Sequence, residues 1–521
     1  MASLKLVSGQ KPREIAVRVL QQRRAGGKFI EDLLETALQG AQLSSADRAL
    51  CQEIVYGIVR WQATLDWLIA RKTDGREQKP ALQNLLRLGL YQIFRLDRIP
   101  DHAAVNETVE LAKQNGFGAQ AGFVNAILRG YLREHDETKK LLAGLKISQP
   151  ALGWSHPEWL VARWQKRWGV ERMAQLLEWN NTPPKTFARV NMLKFRRDEL
   201  CEPQTADGGA SVPASRLVSS LAPPKDAGDL LTRWRDENVE YDFVRCDFFG
   251  RAGLPVGQDA RQRVPTDFEN LVLELKSHPP LLSLASFRDG WFYIQDPGTL
   301  LAAYKLGPQP GETILDFCAA PGGKTTFIAQ LMNNQGRIVA QDVSDERLKW
   351  IQENCARLGV TCVDTLLNTP RPGPLPDWRG EGEKSEAPQK HLLAPPKRGE
   401  GGPRKAGPGE GIEKFDRILV DAPCSNTGVM RRRVDLRWRI QPAEIERLRT
   451  VQLNLLQQAA TQMKPGGVLV YSTCSLEPEE NGEVVKQFLS ERADFKLDYE
   501  RELLPFADNV DGAFVARLIH G

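Results

Sequence analysis

Residues 312–326 read ETILDFCAAPGGKTT: a short apolar run closed by Asp316, a turn holding Pro321-Gly322-Gly323-Lys324, and the start of a helical pattern. Three later segments are built the same way, GRIVAQD (336–342), DRILVDAP (416–423) and GGVLVYSTC (466–474). Continuous apolar runs of this length suit strands buried on both faces of a parallel sheet, and helical patterns separate them. Residues 291–521 are therefore expected to form a doubly wound α/β domain of Rossmann-like type. Such sheets bind ligands at the carboxyl ends of their strands. The unusual residues of this chain lie there.

The glycines after Asp316 let backbone N–H groups approach a ligand at a helix N-terminus. The turn misses the P-loop pattern, which needs glycine where Cys318 stands, so a triphosphate site is not expected. Asp342 ends the second strand 26 residues after Asp316 and is placed to accept ribose hydroxyls of an adenosine-bearing cofactor; the bland alternative is a helix cap. The next two strands end in VDAPCSNTG, with Asp421 and Cys424, and YSTCS, with Cys474. The ordinary reading of a cysteine is a small buried hydrophobe. It suits Cys51, Cys201, Cys246, Cys355 and Cys362, whereas Cys318 lines the turn. It suits Cys424 and Cys474 poorly, because both sit at strand ends on one cleft. Two such thiols fit covalent chemistry on a pyrimidine: thiolate addition at carbon 6 activates carbon 5 toward a sulfonium methyl group, and a second thiol helps release the product. Asp421 is the carboxyl available to stabilise the adduct.

The remainder of the chain reads differently. Residues 1–145 are nearly all helical in pattern, as in PREIAVRVLQQ, FIEDLLETAL and ALQNLLRLGLYQIFRL, and predict a short-loop bundle with Ser45 and Asp101 as N-caps. Its Arg13, Arg18, Arg23, Arg24, Arg129 and Arg133 are candidates for an RNA-facing surface, or simply solvated faces. Residues 146–290 form a linker and a small α+β subdomain, with a strand in TFARVNMLK. Two insertions stand out, Cys201 to about Gly228 and the Pro/Gly-rich stretch Arg371–Lys414, expected to be disordered or a surface loop. With 26% charged residues, no apolar run long enough to span a bilayer and no signal-peptide pattern, a cytoplasmic protein is expected. Eight cysteines without a CxxC pair argue against disulfides or zinc, so no metal is expected. A net charge of +4 permits a nucleic-acid partner without demanding one.

Taken together, LDFCAAPGGKT, VDAPCSNTG and YSTCS, preceded by GWFYIQDPGT (290–299) and followed by DGAFVARL (511–518), resemble the Sun family of RNA 5-methylcytosine methyltransferases. The helical segment resembles the NusB-like RNA-binding domain of the family's small-subunit rRNA branch, and PKTFARVNMLK the start of its small subdomain. The resemblance covers nearly the whole chain apart from the insertions. It implies a class I methyltransferase fold and S-adenosyl-L-methionine as co-substrate, held by Cys318, Ala319, Ala320, Pro321, Gly322, Gly323 and Lys324 with Asp342 and Asp421. It implies Cys474 as nucleophile, Cys424 in product release, and a cytosine of 16S rRNA as target, free or partly assembled, acted on by a monomer. The family usually has aspartate at the end of the third strand; Asn368 falls there, with Asp364 four residues earlier. Alternatives are a tRNA or large-subunit rRNA cytosine methyltransferase, a DNA cytosine methyltransferase, and a non-catalytic RNA-binding assembly factor, for which neither thiol has a use.

Overall fold

The computed structural model describes residues 11–25, 27–194, 227–244, 271–368 and 414–521. Both expected insertions, apart from their ends, and Cys201 and Cys246 lie outside these residues. The described chain forms two compact units.

The first unit runs to Pro183 and also takes in Val429–Ile440. Its helices include Pro12–Ala25, Ile30–Gln39, Ser45–Arg60, Gln62–Lys72, Pro80–Arg95, Asp101–Gln114 and Ala121–Arg133. Prolines open two of them at the first position, where no N–H bond is lost. The apolar stripes meet in one core holding Ile15, Val19, Ile54, Ile58, Leu85, Leu88, Val124 and Leu128. The expected caps move by one residue. Ser44, not Ser45, caps its helix by accepting from Asp47 N, and Asp101 is the first helical residue after Pro100. The basic face is also smaller than expected. Arg13 donates to buried Gln92 and Arg23 to Gln62 and Asp435, whereas Arg129 and Arg133 are exposed.

Val429–Ile440 follows directly on the VDAPCSNTG motif, yet it packs into this helical core, to which it contributes Val434. Fully buried Asp435 accepts from Arg23 Nε (2.6 Å), Ile30 N (3.3 Å) and Arg439 Nε (2.8 Å). Fully buried Arg437 donates to Asn181 Oδ1 (2.8 Å) and the carbonyls of Asn180 (2.9 Å) and Arg60 (3.3 Å). A buried charge persists only with such partners.

The second unit holds two sheets. Strands β1 (Thr186–Val190), β2 (Glu240–Phe243), β3 (Val272–Ser277) and β4 (Phe292–Ile294) form an antiparallel sheet in the order β2-β3-β1-β4. Its inner side packs Ala188, Val190, Leu273 and Phe292 against Trp234 of the helix Ala227–Asp236. The larger sheet comprises β5 (Thr313–Asp316), β6 (Arg337–Asp342), β7 (Val363–Leu367), β8 (Phe415–Asp421), β9 (Met463–Thr473), β10 (Phe495–Leu503) and β11 (Ala513–His520). Its order is β10-β11-β9-β8-β5-β6-β7. Strands β5 to β9 pair in parallel, as their continuous apolar runs predict; β11 and β10 add an antiparallel edge. From β5 the chain first builds outward through β6 and β7, then returns to the other side with β8. That reversal is the topological switch point, and ligands bind outside the strand ends there.

Candidate active site

At the switch point three acids converge on the first strand's turn. Asp316, at the end of β5, is fully buried; Oδ2 accepts from Thr325 Oγ1 at 2.6 Å and Oδ1 has no partner among the described residues. Burial pushes its carboxyl up to about 7, and the negative charges of Asp421 and Asp342 act in the same direction. Asp342, at the end of β6, is 2% exposed. It accepts from Val343 N (2.8 Å), Ala320 N (3.2 Å) and Arg347 Nη1 (2.8 Å), so it already braces the turn it was expected to adjoin. Cys318 lies within the field of all three acids, and burial with those charges raises its thiol far above the usual range.

The turn is held tightly. Ala319 N donates to Gln341 O (2.9 Å) and Asn354 Nδ2 to Pro321 O (3.0 Å). Gly322 has φ +97°, a conformation open to glycine, and a Cβ there would meet Ile351 Cα at 3.3 Å. From the smaller sheet, fully buried Arg189 donates to Gly323 O (2.8 Å), Gln295 Oε1 (2.7 Å) and Thr326 Oγ1 (3.0 Å). Asn191 donates to Gly290 O and Leu358 O and accepts from Gln330 Nε2. The ARVN segment thus locks the subdomain onto the helix that starts at the turn. Sequence reading missed both residues; the signal was polar side chains inside a run that reads as a strand.

Lys324 does not extend toward a phosphate. Its Nζ bonds Asp421 Oδ2 at 2.6 Å, and Asp421 Oδ1 accepts from Ser472 Oγ at 2.8 Å. Burial alone would lower the Lys324 ammonium, but the charge and hydrogen bond of Asp421 outweigh it, with Cys474 and Asp316 adding to them, and hold it above the usual lysine range. The lysine stays a cation, paired with Asp421 and within electrostatic reach of Cys474.

The two motif cysteines meet. Strands β8 and β9 are parallel neighbours in which Asp421 pairs with Ser472. The loops beyond them bring Cys424 Sγ within 3.2 Å of Cys474 Sγ. Their environments differ. Cys424 is buried, accepts from Cys474 N (3.3 Å), and its thiol is pushed well above the usual range, first by the hydrogen bond to Cys474 and then by burial. Cys474 is partly exposed and donates to Asn426 Oδ1 at 3.0 Å. Asn426 takes φ +58°, which asparagine tolerates, and its Nδ2 bonds Cys424 O. The DGAFVARL motif closes the same loops: a Cβ on Gly428 would meet Gly512 O at 2.5 Å and Cys474 O at 2.8 Å.

The remaining candidates are placed as follows. Asn368 follows the end of β7, and its N–H bonds Asp342 O at 2.9 Å. Asp364 lies near the start of that strand, exposed and paired with Arg337, at the end away from the other site residues. Cys51 and Cys355 are core thiols, and Cys362 packs partly buried at the edge of a core. Among the described residues no group of three or more His, Cys, Asp or Glu is arranged to hold a metal, and no helix is long and apolar enough to cross a membrane.

Comparison with known proteins gives the family. Residues 10–133 match the NusB family, 156–220 the ferredoxin-like domain of RsmF/B-like methyltransferases, and 303–376 with 398–519 the 16S rRNA methyltransferase RsmB/F family. A probable ribosomal RNA small subunit methyltransferase B of Synechocystis sp. is 33% identical, over 97% of this chain and 98% of that one. The chain belongs to the RsmB/F family of rRNA methyltransferases. A probable methyltransferase B of Bacillus subtilis is 32% identical, over 94% of this chain and 90% of that one. The solved structure of PH0851 shares the fold, with a TM-score of 0.65 at 22% identity, covering 98% of this chain and 99% of that one. Membership brings S-adenosyl-L-methionine as co-substrate, and the donor set fits it. A cluster of three acids with an unpartnered Asp316 oxygen suits a cationic sulfonium amino acid better than a triphosphate.

Proposed function

We propose that this protein methylates carbon 5 of a cytosine in 16S rRNA through a covalent adduct with Cys474. The observation that supports this reading above others is the pair of thiols 3.2 Å apart with unequal environments. S-adenosyl-L-methionine, held by residues 318–324 with Asp316, Asp342 and Asn368, supplies the electrophilic methyl group. Cys474 is the reachable sulfur, and the Lys324 cation lies within electrostatic reach of it. The Cys474 thiol gives up its proton to solvent, and the thiolate sulfur bonds to carbon 6 of the ring, which makes carbon 5 the nucleophile. After methylation a water molecule takes the carbon 5 proton, the bond between Sγ and carbon 6 breaks with its electron pair returning to sulfur, and the aromatic ring is restored. Cys424, held protonated by burial and by its neighbour, assists that release. Asp421 lies at the same strand end, partly exposed, and stabilises the adduct at the ring nitrogen or exocyclic amine. We place the reaction in the cytoplasm, on small-subunit rRNA not yet fully assembled, with the protein acting as a monomer.

The test is trapping on denaturing gels with an rRNA fragment. Cys474→Ala is expected to form neither adduct nor product; Cys424→Ala is expected to form the adduct and hold it. A persistent protein–RNA band with Cys474→Ala would exchange the two roles.

A further inference from the structure

We infer that Glu480 is a positioning residue whose buried carboxylate clamps the two cysteine loops together and so sets the spacing of the two thiols. Glu480 lies six residues after Cys474, in a 3₁₀ turn, and is 0% exposed. Its Oε1 accepts from Ser425 N (2.8 Å) and Gln452 Nε2 (3.1 Å). Its Oε2 accepts from the hydroxyls of Ser425 and, at 2.5 Å, Ser475. An ionised carboxylate has about four acceptor positions, and these four donors fill them. Ser425 directly follows Cys424, and Ser475 directly follows Cys474.

The neighbours of Glu480 complete the bracket on both sides of each cysteine. Gln452 also donates to Pro423 O (2.9 Å), just before Cys424. Asn481 accepts from Thr473 Oγ1 (2.6 Å), just before Cys474, and donates to Ser475 O (2.9 Å), just after it. Burial raises the Glu480 carboxyl above the usual range, while the bonds from Ser425, Ser475 and Gln452 pull the other way. An apolar side chain would avoid that desolvation. Only an acceptor of four converging donors ties the β8 loop to the β9 loop at the residues next to the sulfurs. The clamp touches neither substrate, so it acts through Cys424 and Cys474; its catalytic consequence rests on the covalent reading above.

Glu480→Gln keeps the size but replaces one acceptor oxygen by a donor amide, which confronts two of the four donors. Ser475→Ala is the companion: it leaves both cysteines and keeps the carboxylate, but removes the hydroxyl that bonds Glu480 and also meets Ser425 Oγ (3.1 Å), Thr427 Oγ1 (3.3 Å) and Glu477 N (3.0 Å). The purified full-length proteins are treated with diamide, which takes two electrons and two protons from a thiol pair as its N=N bond is reduced. Closure of a disulfide between Cys424 and Cys474 is followed by mass spectrometry of unreduced peptides. The wild-type pair is expected to close readily, Ser475→Ala several-fold more slowly, and Glu480→Gln more slowly still. In parallel, kcat for rRNA methylation should fall about 100-fold in Glu480→Gln, with the KM for RNA and the affinity for S-adenosyl-L-methionine near wild type. Closure at the wild-type rate in Ser475→Ala and in any folded Glu480→Gln overturns the clamp. If the wild type forms no RNA adduct while the closure rates differ as expected, the covalent reading fails and the clamp stands.

Discussion

Gly428 is the position where one methyl group should do most damage. Its N–H donates to Cys474 O at 2.9 Å, and its own carbonyl accepts from Gly512 N at 2.9 Å. A Cβ there would lie 2.5 Å from Gly512 O, 2.7 Å from Gly512 C and 2.8 Å from Cys474 O, all backbone atoms. No side chain can rotate away, so for Gly428→Ala the Gly512 backbone must retreat by about 0.9 Å, and Cys474 O by about 0.6 Å, to reach the 3.4 Å where ordinary contact begins. Overpacking of this kind costs about 1–3 kcal/mol of stability. Its larger effect is on geometry, since a displacement approaching 1 Å at an attacking group costs about 100-fold in rate. Single-turnover methyl transfer should therefore fall about 100-fold, while calorimetry finds S-adenosyl-L-methionine affinity within about 2-fold of wild type, because the 318–324 turn is untouched. A folded Gly428→Ala protein with the wild-type rate would refute the claim that these loops are held in one catalytically necessary arrangement.

Three other outcomes follow from the structure. Asp342→Ala removes the acceptor of Ala320 N and Arg347 as well as the expected ribose acceptor, so co-substrate affinity should fall at least 10-fold, at about 1.5–3 kcal/mol for bonds to a charged group; unchanged affinity by calorimetry would remove Asp342 from the site. Asp316 is raised to about 7 in the folded state against an ordinary 3.8, so above pH 4 the unfolded chain loses that proton first, and the cost to stability grows until pH 7, on the order of 4 kcal/mol. The melting temperature of Asp316→Asn relative to wild type should accordingly rise from pH 4 to pH 7 and then level; a gap independent of pH would contradict this. Asp435→Ala removes the fully buried anion that partly buried Arg23 pairs with, a loss of up to about 3–5 kcal/mol, and thermal melting should drop by roughly 5–15 °C; an unchanged melt would show that the 429–440 segment contributes little to the helical unit.

What the sequence revealed and what it hid have separate physical causes. The buried parallel strands were legible because β5, β6, β8 and β9 are unbroken apolar runs, and the site because Asp316, Asp342, Cys424 and Cys474 stand at their ends. Parallel pairing of β8 and β9 then brings the thiols together, as strand-end cysteines on neighbouring strands require. The partners of those residues were not legible. Nothing local in the sequence says that Lys324 turns to Asp421, that Arg189 reaches Gly323 across 134 positions, or that Glu480 joins two loops, because each bond depends on tertiary placement. The placement of the 429–440 stretch was hidden for the same reason. The stretch falls inside the 291–521 segment expected to form the α/β domain, yet Asp435 and Arg437 are buried against residues 257 to 412 positions earlier in sequence. Ser44 was missed as a cap because two adjacent serines offer the same hydroxyl.

Cys474 is proposed to carry a cytosine through methylation at carbon 5. The most direct measurement incubates the full-length protein with S-adenosyl-L-methionine bearing a labelled methyl group and small-subunit rRNA lacking its modifications. The labelled fragment is then isolated, and its nucleosides are identified by mass spectrometry. Label is expected in 5-methylcytidine at one cytosine with wild-type protein and nowhere with Cys474→Ala. Label on another atom or base, or undiminished 5-methylcytidine from Cys474→Ala, would contradict the proposal.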